Sequence, residues 1–287
     1  MNNLLLHPTT EHQLQALLQS RPHALLIFGP PGTGKGALAD QFVERTLGAK
    51  SPVNNPYFLE ISPAPASIGI ESVRAIRDFL RRKTTGKTEL RRIILLKEAQ
   101  TMTEEAQNAL LKTLEEPPAD TMVILTASDP TALKATIRSR SQQLLVLPVS
   151  QEAAETYFKA AGYQQQAIQT AYYMSEGRVG LLKALLDGAS DHELVRAIVQ
   201  AKELLKTSSY DRLLQVDKLS KEKQQLAWLL QGLERVVTSG LGQAADKNKP
   251  DAVRKFYVLS KQIQQTQEAL AKNANTKIVL TELFMNI

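Results

Sequence analysis

Cysteine is absent from this 287-residue chain. That excludes a disulfide framework, a thiolate metal site and a thiol nucleophile. Histidine is scarce, with four in all, three of them before residue 24, so a histidine-rich metal centre is not expected either. No apolar run approaches the length of a membrane span. The opening MNNLLLHPTTEHQ lacks the charged start and long apolar core of a secretory signal. A cytoplasmic protein with no membrane partner is expected. Neither an internal repeat nor a low-complexity tract is visible.

What is present suits a globular protein: 43% hydrophobic and 22% charged residues, in a chain long enough for two or three domains. Basic residues outnumber acidic ones by 35 to 29, a mild excess. They gather at Arg74, Arg77, Arg81, Arg82, Lys83, Lys87, Arg91, Arg92 and Lys97. This stretch reads either as a patch for nucleic-acid phosphates or as a solvated face.

The first half alternates β-like runs with helical patterns, which argues for an α/β layer with a largely parallel sheet. Strands are expected at 23–28, 57–61, 91–97, 122–127 and 143–147. Helices are expected at 34–46, 70–83 and 104–115, with a short one near Leu133. In the third, Ala106, Ala109, Leu110, Thr113 and Leu114 form one apolar stripe. Thr103 is placed to cap its start, and Pro117–Pro118 stop it. After Pro148 the strand signal vanishes. Three short helices are expected up to Gly188, with turns near Gly162 and Gly177, and then a cap at Ser190 or Asp191. Long helices follow, broken at 240–250 and 273–276; the last carries Leu280, Leu283, Phe284 and Ile287 on one stripe.

Between the first strand and the helix after it lies GPPGTGKG, residues 29–36. A strand, then G-x-x-x-x-G-K, then a helix is the pattern of a phosphate-binding loop. Gly29 opens the loop. Backbone N–H groups of Gly32, Thr33, Gly34 and Lys35 would wrap phosphate oxygens, the helix would add its positive end, and Lys35 would reach the outer phosphates. Hydrolysis also needs magnesium, held by a loop hydroxyl and by an acid ending a neighbouring strand. Gly36 stands where the hydroxyl is needed and has none. In RRIILLKEAQ the position of the acid is Lys97, followed by Glu98 where a glutamate would polarise the attacking water. At an effective dielectric of 20, an ammonium about 4 Å from a divalent ion costs roughly 8 kcal/mol before screening. Magnesium is therefore not expected. Lys97 either neutralises a phosphate or pairs with Glu98 or another local acid, which leaves room for ATP or ADP held weakly or without turnover.

The segments EAQTMTEEAQNALLKTLEEPP, TMVILTASDPTAL and TIRSRSQ, together with HALLIFGPPGTGKG, resemble bacterial clamp-loader subunits of the AAA+ superfamily. The resemblance covers most of 4–148 and returns weakly at TKIVLTELFMNI. It implies a P-loop-type AAA+ core over 1–148, a small helical lid over 149–189 and an all-α collar over 190–287. It also implies partners: a pentameric ring with motor subunits of the gamma/tau type and a delta subunit, a sliding clamp, and primer-template DNA.

The chain departs from the motor subunits of that family at Gly36, at Lys97, and at Gly180, which stands where the motors carry an ATP-sensing arginine; Arg178 lies two residues earlier. The four-cysteine zinc module of the family is missing, its place taken by GAKSPVNNPY, so no zinc is expected. One catalytic element survives. In TIRSRS, Arg140 between Ser139 and Ser141 matches the family's Ser-Arg-Cys, whose arginine reaches into a neighbour's site. By this resemblance Glu98 is vestigial and Arg140 acts in trans. Glu115 and Glu116 sit at the unfavourable negative end of their helix, which suggests either an interface or a salt bridge. A motor with an unusual metal arrangement and a stand-alone DNA-binding module remain as alternatives.

Overall fold

A computed structural model describes residues 4–48, 55–82, 92–189 and 192–287. They form two compact units, Met1–Val149 and Ser150–Ile287. In the first, α1 (Pro8–Ser20), β1 (Ala24–Phe28), α2 (Lys35–Leu47), β2 (Phe58–Ile61), α3 (Ile70–Arg81), β3 (Arg92–Leu96), α4 (Glu104–Glu115), β4 (Thr121–Ala127), α5 (Ala135–Ser139) and β5 (Gln142–Leu145) follow one another. The five strands form one parallel sheet in the order β2-β3-β4-β1-β5.

The central strands ALLIF, RIILL and TMVILTA are near-continuous apolar runs because both faces of the sheet are covered. Alternate residues serve opposite faces. Leu26, Ile94 and Leu125 pack with α3 and α4 residues, whereas Leu25, Ile27 and Ile93 pack with Leu38 and Phe42 of α2 and Leu14 of α1. The edge strand QQLL exposes both glutamines. Helix α1 was not foreseen, although Pro8 in its first turn and the buried Thr10, Leu14 and Leu17 at helical spacing carry a signal. Thr10 donates its hydroxyl to the Leu145 carbonyl at 3.0 Å and accepts from the Leu147 N–H at 3.2 Å, which fastens α1 to the end of β5.

Two members of the basic cluster are consumed inside this unit. Arg92 is buried; its guanidinium pairs with Asp120 at 2.6 Å and donates to the Leu80 carbonyl at 2.6 Å. Lys97 pairs with carboxylates described below. Arg74 pairs with Glu71, and Arg81 with Asp78 at 3.5 Å. Lys83, Lys87 and Arg91 lie outside the described residues. Among the described residues of the stretch, Arg74, Arg77 and Arg81 of α3 are exposed.

The second unit is all helical: α6 (Gln151–Ala160), α7 (Gln165–Ser175), α8 (Val179–Asp187), α9 (Glu193–Leu204), α10 (Ser209–Leu214), α11 (Val216–Leu219), α12 (Lys223–Asp246), α13 (Pro250–Ala271) and α14 (Thr276–Asn286). The expected caps at Ser190 and Asp191 lie outside the described residues. The helical break expected over 240–250 falls late in that span, at 247–249, because α12 runs on to Asp246. Gly240 is instead a packing residue: a Cβ there would fall 2.5 Å from the Phe256 ring. Further breaks, at 205–208 and 220–222, divide the stretch before α12.

Helix α12 packs against α7, α9 and α13. At Gly232 a Cβ would fall 2.3 Å from the Ala197 carbonyl oxygen of α9, so only hydrogen fits. Gly232→Ala should destabilise this unit by about 1–3 kcal/mol through overpacking. Urea unfolding followed by Trp228, the single tryptophan and itself on α12, measures this directly; an unchanged midpoint would contradict it.

Candidate functional site

Strand β1 delivers the chain to the phosphate loop at the C-terminal end of the sheet, where open α/β sheets bind ligands. Gly29 has φ 153°, and a Cβ on it would meet the Val146 carbonyl at 2.8 Å, so glycine lets the loop press against the chain beyond β5. Gly34, with φ 89°, is the N-cap of α2, and Gly32 is also left-handed at φ 86°. The loop is closed on itself. Thr33 Oγ1 donates to the Pro30 carbonyl at 3.0 Å, and the Lys35 ammonium donates to the Gly29 and Pro30 carbonyls at 2.7 and 3.0 Å. Lys35 would have to release these carbonyls to reach a phosphate, an exchange of hydrogen bonds that leaves the loop backbone in place.

The two positions expected from the sequence to hold magnesium carry residues that do not suit that ion. Gly36 has no hydroxyl, and nothing lies within 4 Å of where its Cβ would be; the glycine is not imposed by crowding. Lys97 follows β3, which is not the neighbour of β1, since β4 lies between them. Its ammonium sits 3.0 Å from Asp40 of α2 and 3.1 Å from Glu60 of β2. Burial opposes its charge, but the hydrogen bonds and attraction of Asp40 and Glu60 outweigh this and raise its pKa. Of the two sequence readings, pairing with local acids is what the structure shows, and the acids are Asp40 and Glu60 rather than Glu98. Glu98 is exposed, in a left-handed conformation at φ 53°, and its N–H donates to Thr126 Oγ1 on β4 at 3.0 Å. Asp40, Glu60 and Thr126 escaped sequence reading, because no local pattern marks partners that converge from three elements.

Arg140 lies at the other end of the sheet. It caps α5 and precedes β5, whose Gln142 pairs with Leu25 near the start of β1. The length of β1, at about 3.3 Å per residue, puts roughly 15 Å between the two ends. The half-exposed guanidinium pairs with Glu115 at 3.0 Å and donates to the Thr136 carbonyl at 3.2 Å. Glu115, at the C-terminus of α4, thus has its counter-charge. Next to Arg140, Ser141 is buried and donates its hydroxyl to the Ile137 carbonyl at 2.9 Å.

Between the two ends, Gln107 joins several segments. Its buried amide donates to the Met102 and Ala132 carbonyls at 3.4 and 3.2 Å and accepts from the Lys134 N–H at 2.8 Å. A glutamine beside the apolar stripe of α4 was its only sequence signal. In the second unit Gly180 lies in the first turn of α8. Arg178, its N-cap, is mostly buried and pairs with Glu176 at 3.0 Å, the same carboxylate that Arg235 contacts. Burial and repulsion by Arg235 lower its pKa against the pull of Glu176. Among the described residues no group of three or more His, Cys, Asp or Glu could hold a metal ion, and no helix is long and apolar enough to cross a membrane.

A parallel sheet with a glycine-rich turn between its first strand and the following helix defines a phosphate-loop protein. The sequence pattern of the DNA polymerase III, delta subunit family matches residues 7–150, half of the chain, and the chain belongs to that family. It is 33% identical over 157 residues to the DNA polymerase III subunit delta' of Pseudomonas aeruginosa, covering 48% of this chain and 47% of that one. It is 30% identical over 186 residues to that of Escherichia coli (strain K12), covering 58% and 55%. To the DNA polymerase III subunit tau of Bacillus subtilis it is 33% identical over 145 residues, covering 45% and 25%. The chain spans about half the length of the curated delta' relatives it matches.

Removing Lys97 should leave Asp40 and Glu60 to repel each other across α2 and β2. We expect Lys97→Met to cost about 1–2 kcal/mol, the partial exposure of the pair keeping the figure low. Because the folded-state pKa is raised above 10.5, the stabilisation is complete below that pH and is lost as pH rises through the folded value. Urea unfolding of both proteins by circular dichroism should show their difference shrinking above pH 10.5; a constant difference would contradict the linkage.

Proposed function

We propose that this chain is a delta-prime-type subunit of a bacterial clamp loader. In this reading it acts in the cytoplasm with gamma/tau-type motor subunits and a delta subunit in a ring of five, and helps to load a sliding clamp on primer-template DNA. The observation that carries the reading is the separation within one sheet. The phosphate loop lies at the C-terminal end with Lys97 tied to Asp40 and Glu60, and Arg140 lies roughly 15 Å away at the N-terminal end. An arginine so placed does not serve its own loop. It suits a neighbouring subunit's nucleotide, where such a group is worth about 10³–10⁵ in rate.

The loop itself fits phosphate better than it fits turnover. Gly32, Thr33 and Gly34 would hold phosphate oxygens through the backbone, and Lys35 would supply the charge. Bound nucleotide would bring a polyphosphate and nothing that Lys97 or Gly36 could help to cleave. Nucleotide binding should therefore be weak, unaffected by a chelator and abolished by Lys35→Ala. Calorimetry with ATP checks this, and a strong loss of affinity on adding a chelator would show that magnesium is held after all.

Replacing Arg140 with Ala should slow ATP hydrolysis and clamp loading by the reconstituted loader while the complex still assembles. Its ion pair with Glu115 is half exposed, so stability should change by only about 0–1 kcal/mol. Unchanged loading by a fully assembled Arg140→Ala complex would overturn the reading.

A further inference from the structure

We propose that Glu115 is a positioning residue for Arg140, holding the guanidinium for an anionic group presented by a partner. The proposal rests on the reading that Arg140 acts on a neighbouring subunit's phosphate, and adds a second residue to that role.

Three observations support it. A carboxylate in the last turn of α4 faces the negative end of the helix, so its place is locally unfavourable; the Arg140 guanidinium 3.0 Å away supplies the compensating charge. The two groups also come from elements of very different firmness. Helix α4 is rooted in the sheet's core through Ala106, Leu110 and Leu114. Helix α5 has five residues, and its own contribution to holding the guanidinium is the Thr136 carbonyl at 3.2 Å. Without Glu115 the arginine would be anchored only within its own turn.

The third observation is what the clamp leaves open. A guanidinium carries five N–H donors in a rigid fork. Glu115 and the Thr136 carbonyl each accept from one terminal nitrogen, so donors remain for a ligand. They border a surface groove of about 800 Å³ that Pro22, His23, Pro117 and Gln142 also line. The carboxylate fixes the orientation of the fork and partly offsets its charge. A weakly charged group gains little by approaching such a pair; a polyphosphate, with several negative oxygens, still gains.

The test uses the assembled loader carrying Glu115→Ala, Glu115→Gln, Arg140→Ala or Glu115→Ala with Arg140→Ala. Steady-state ATP hydrolysis gives kcat and KM for each, with melting and assembly measured alongside. Freeing a long arginine from one anchor should lower kcat by about threefold to tenfold with KM unchanged. Glu115→Gln keeps an oxygen acceptor in place and should recover most of that loss. In the double variant Glu115→Ala should add nothing to Arg140→Ala, because it acts only through the arginine. If Arg140→Ala slows hydrolysis while Glu115→Ala does not, or if the two losses multiply, the positioning role is wrong and the reading of Arg140 stands. If Arg140→Ala itself changes nothing, both fall.

Discussion

A parallel sheet has two unlike ends, and this polarity governs everything the first unit does. All five strands run the same way, so each turn that follows a strand opens on one end and each segment that leads into a strand lies on the other. The phosphate loop follows β1, and Lys97 and Glu98 follow β3; they are gathered at the same end without any sequence contact between them. Arg140 leads into β5 and is held at the other. The glycine-rich loop and the guanidinium of Arg140 are thereby kept apart by the length of a strand buried over four of its five residues. No side-chain rearrangement closes that gap, because shortening β1 would tear the hydrogen-bonded ladders on both of its flanks.

Within the C-terminal end, the proposed lack of turnover rests on more than a missing ligand. An acid replaced by a neutral residue would leave a weakened metal position. Here Lys97 holds Asp40 and Glu60 around itself, so a fixed ammonium ties α2, β2 and β3 together. A metal ion would have to compete with this cation for the same carboxylates, and an ammonium delivered by the chain itself pays no cost of capture from solution. The open space at Gly36 carries a related message: the absence of a hydroxyl reflects no steric demand of the fold.

Reading of the chain succeeded where chemistry is local. The order of strands and helices from β1 onward in the first unit, the loop at 29–36, the Thr103 cap and the turn at Gly188 all follow from short patterns, and the structure places them within a few residues of expectation. It failed where partners converge from distant segments. Nothing near Lys97 announces Asp40, and nothing near Arg140 announces Glu115; only the sheet brings them together. Arg92 shows the same limit from the other side, since a basic residue in a basic stretch reads as surface although its guanidinium is buried against Asp120. The break expected over 240–250 falls at 247–249; Gly240, at the start of that span, stays helical and admits a neighbouring ring.

The three glycines that crowd the contacts of α12 differ in what presses against them, and this has an evolutionary consequence. At Gly240 and Gly242 the obstacles are the rings of Phe256 and Tyr173, and a ring can be exchanged for a smaller side chain. Homologous sequences are free to drift at those positions in matched pairs, a larger residue on α12 accompanied by a smaller one on α13 or α7. At Gly232 the obstacle is the backbone of Ala197 and Ile198, which no substitution can trim. That position has no partner with which to covary, so lineages that keep the α9–α12 crossing must keep the glycine.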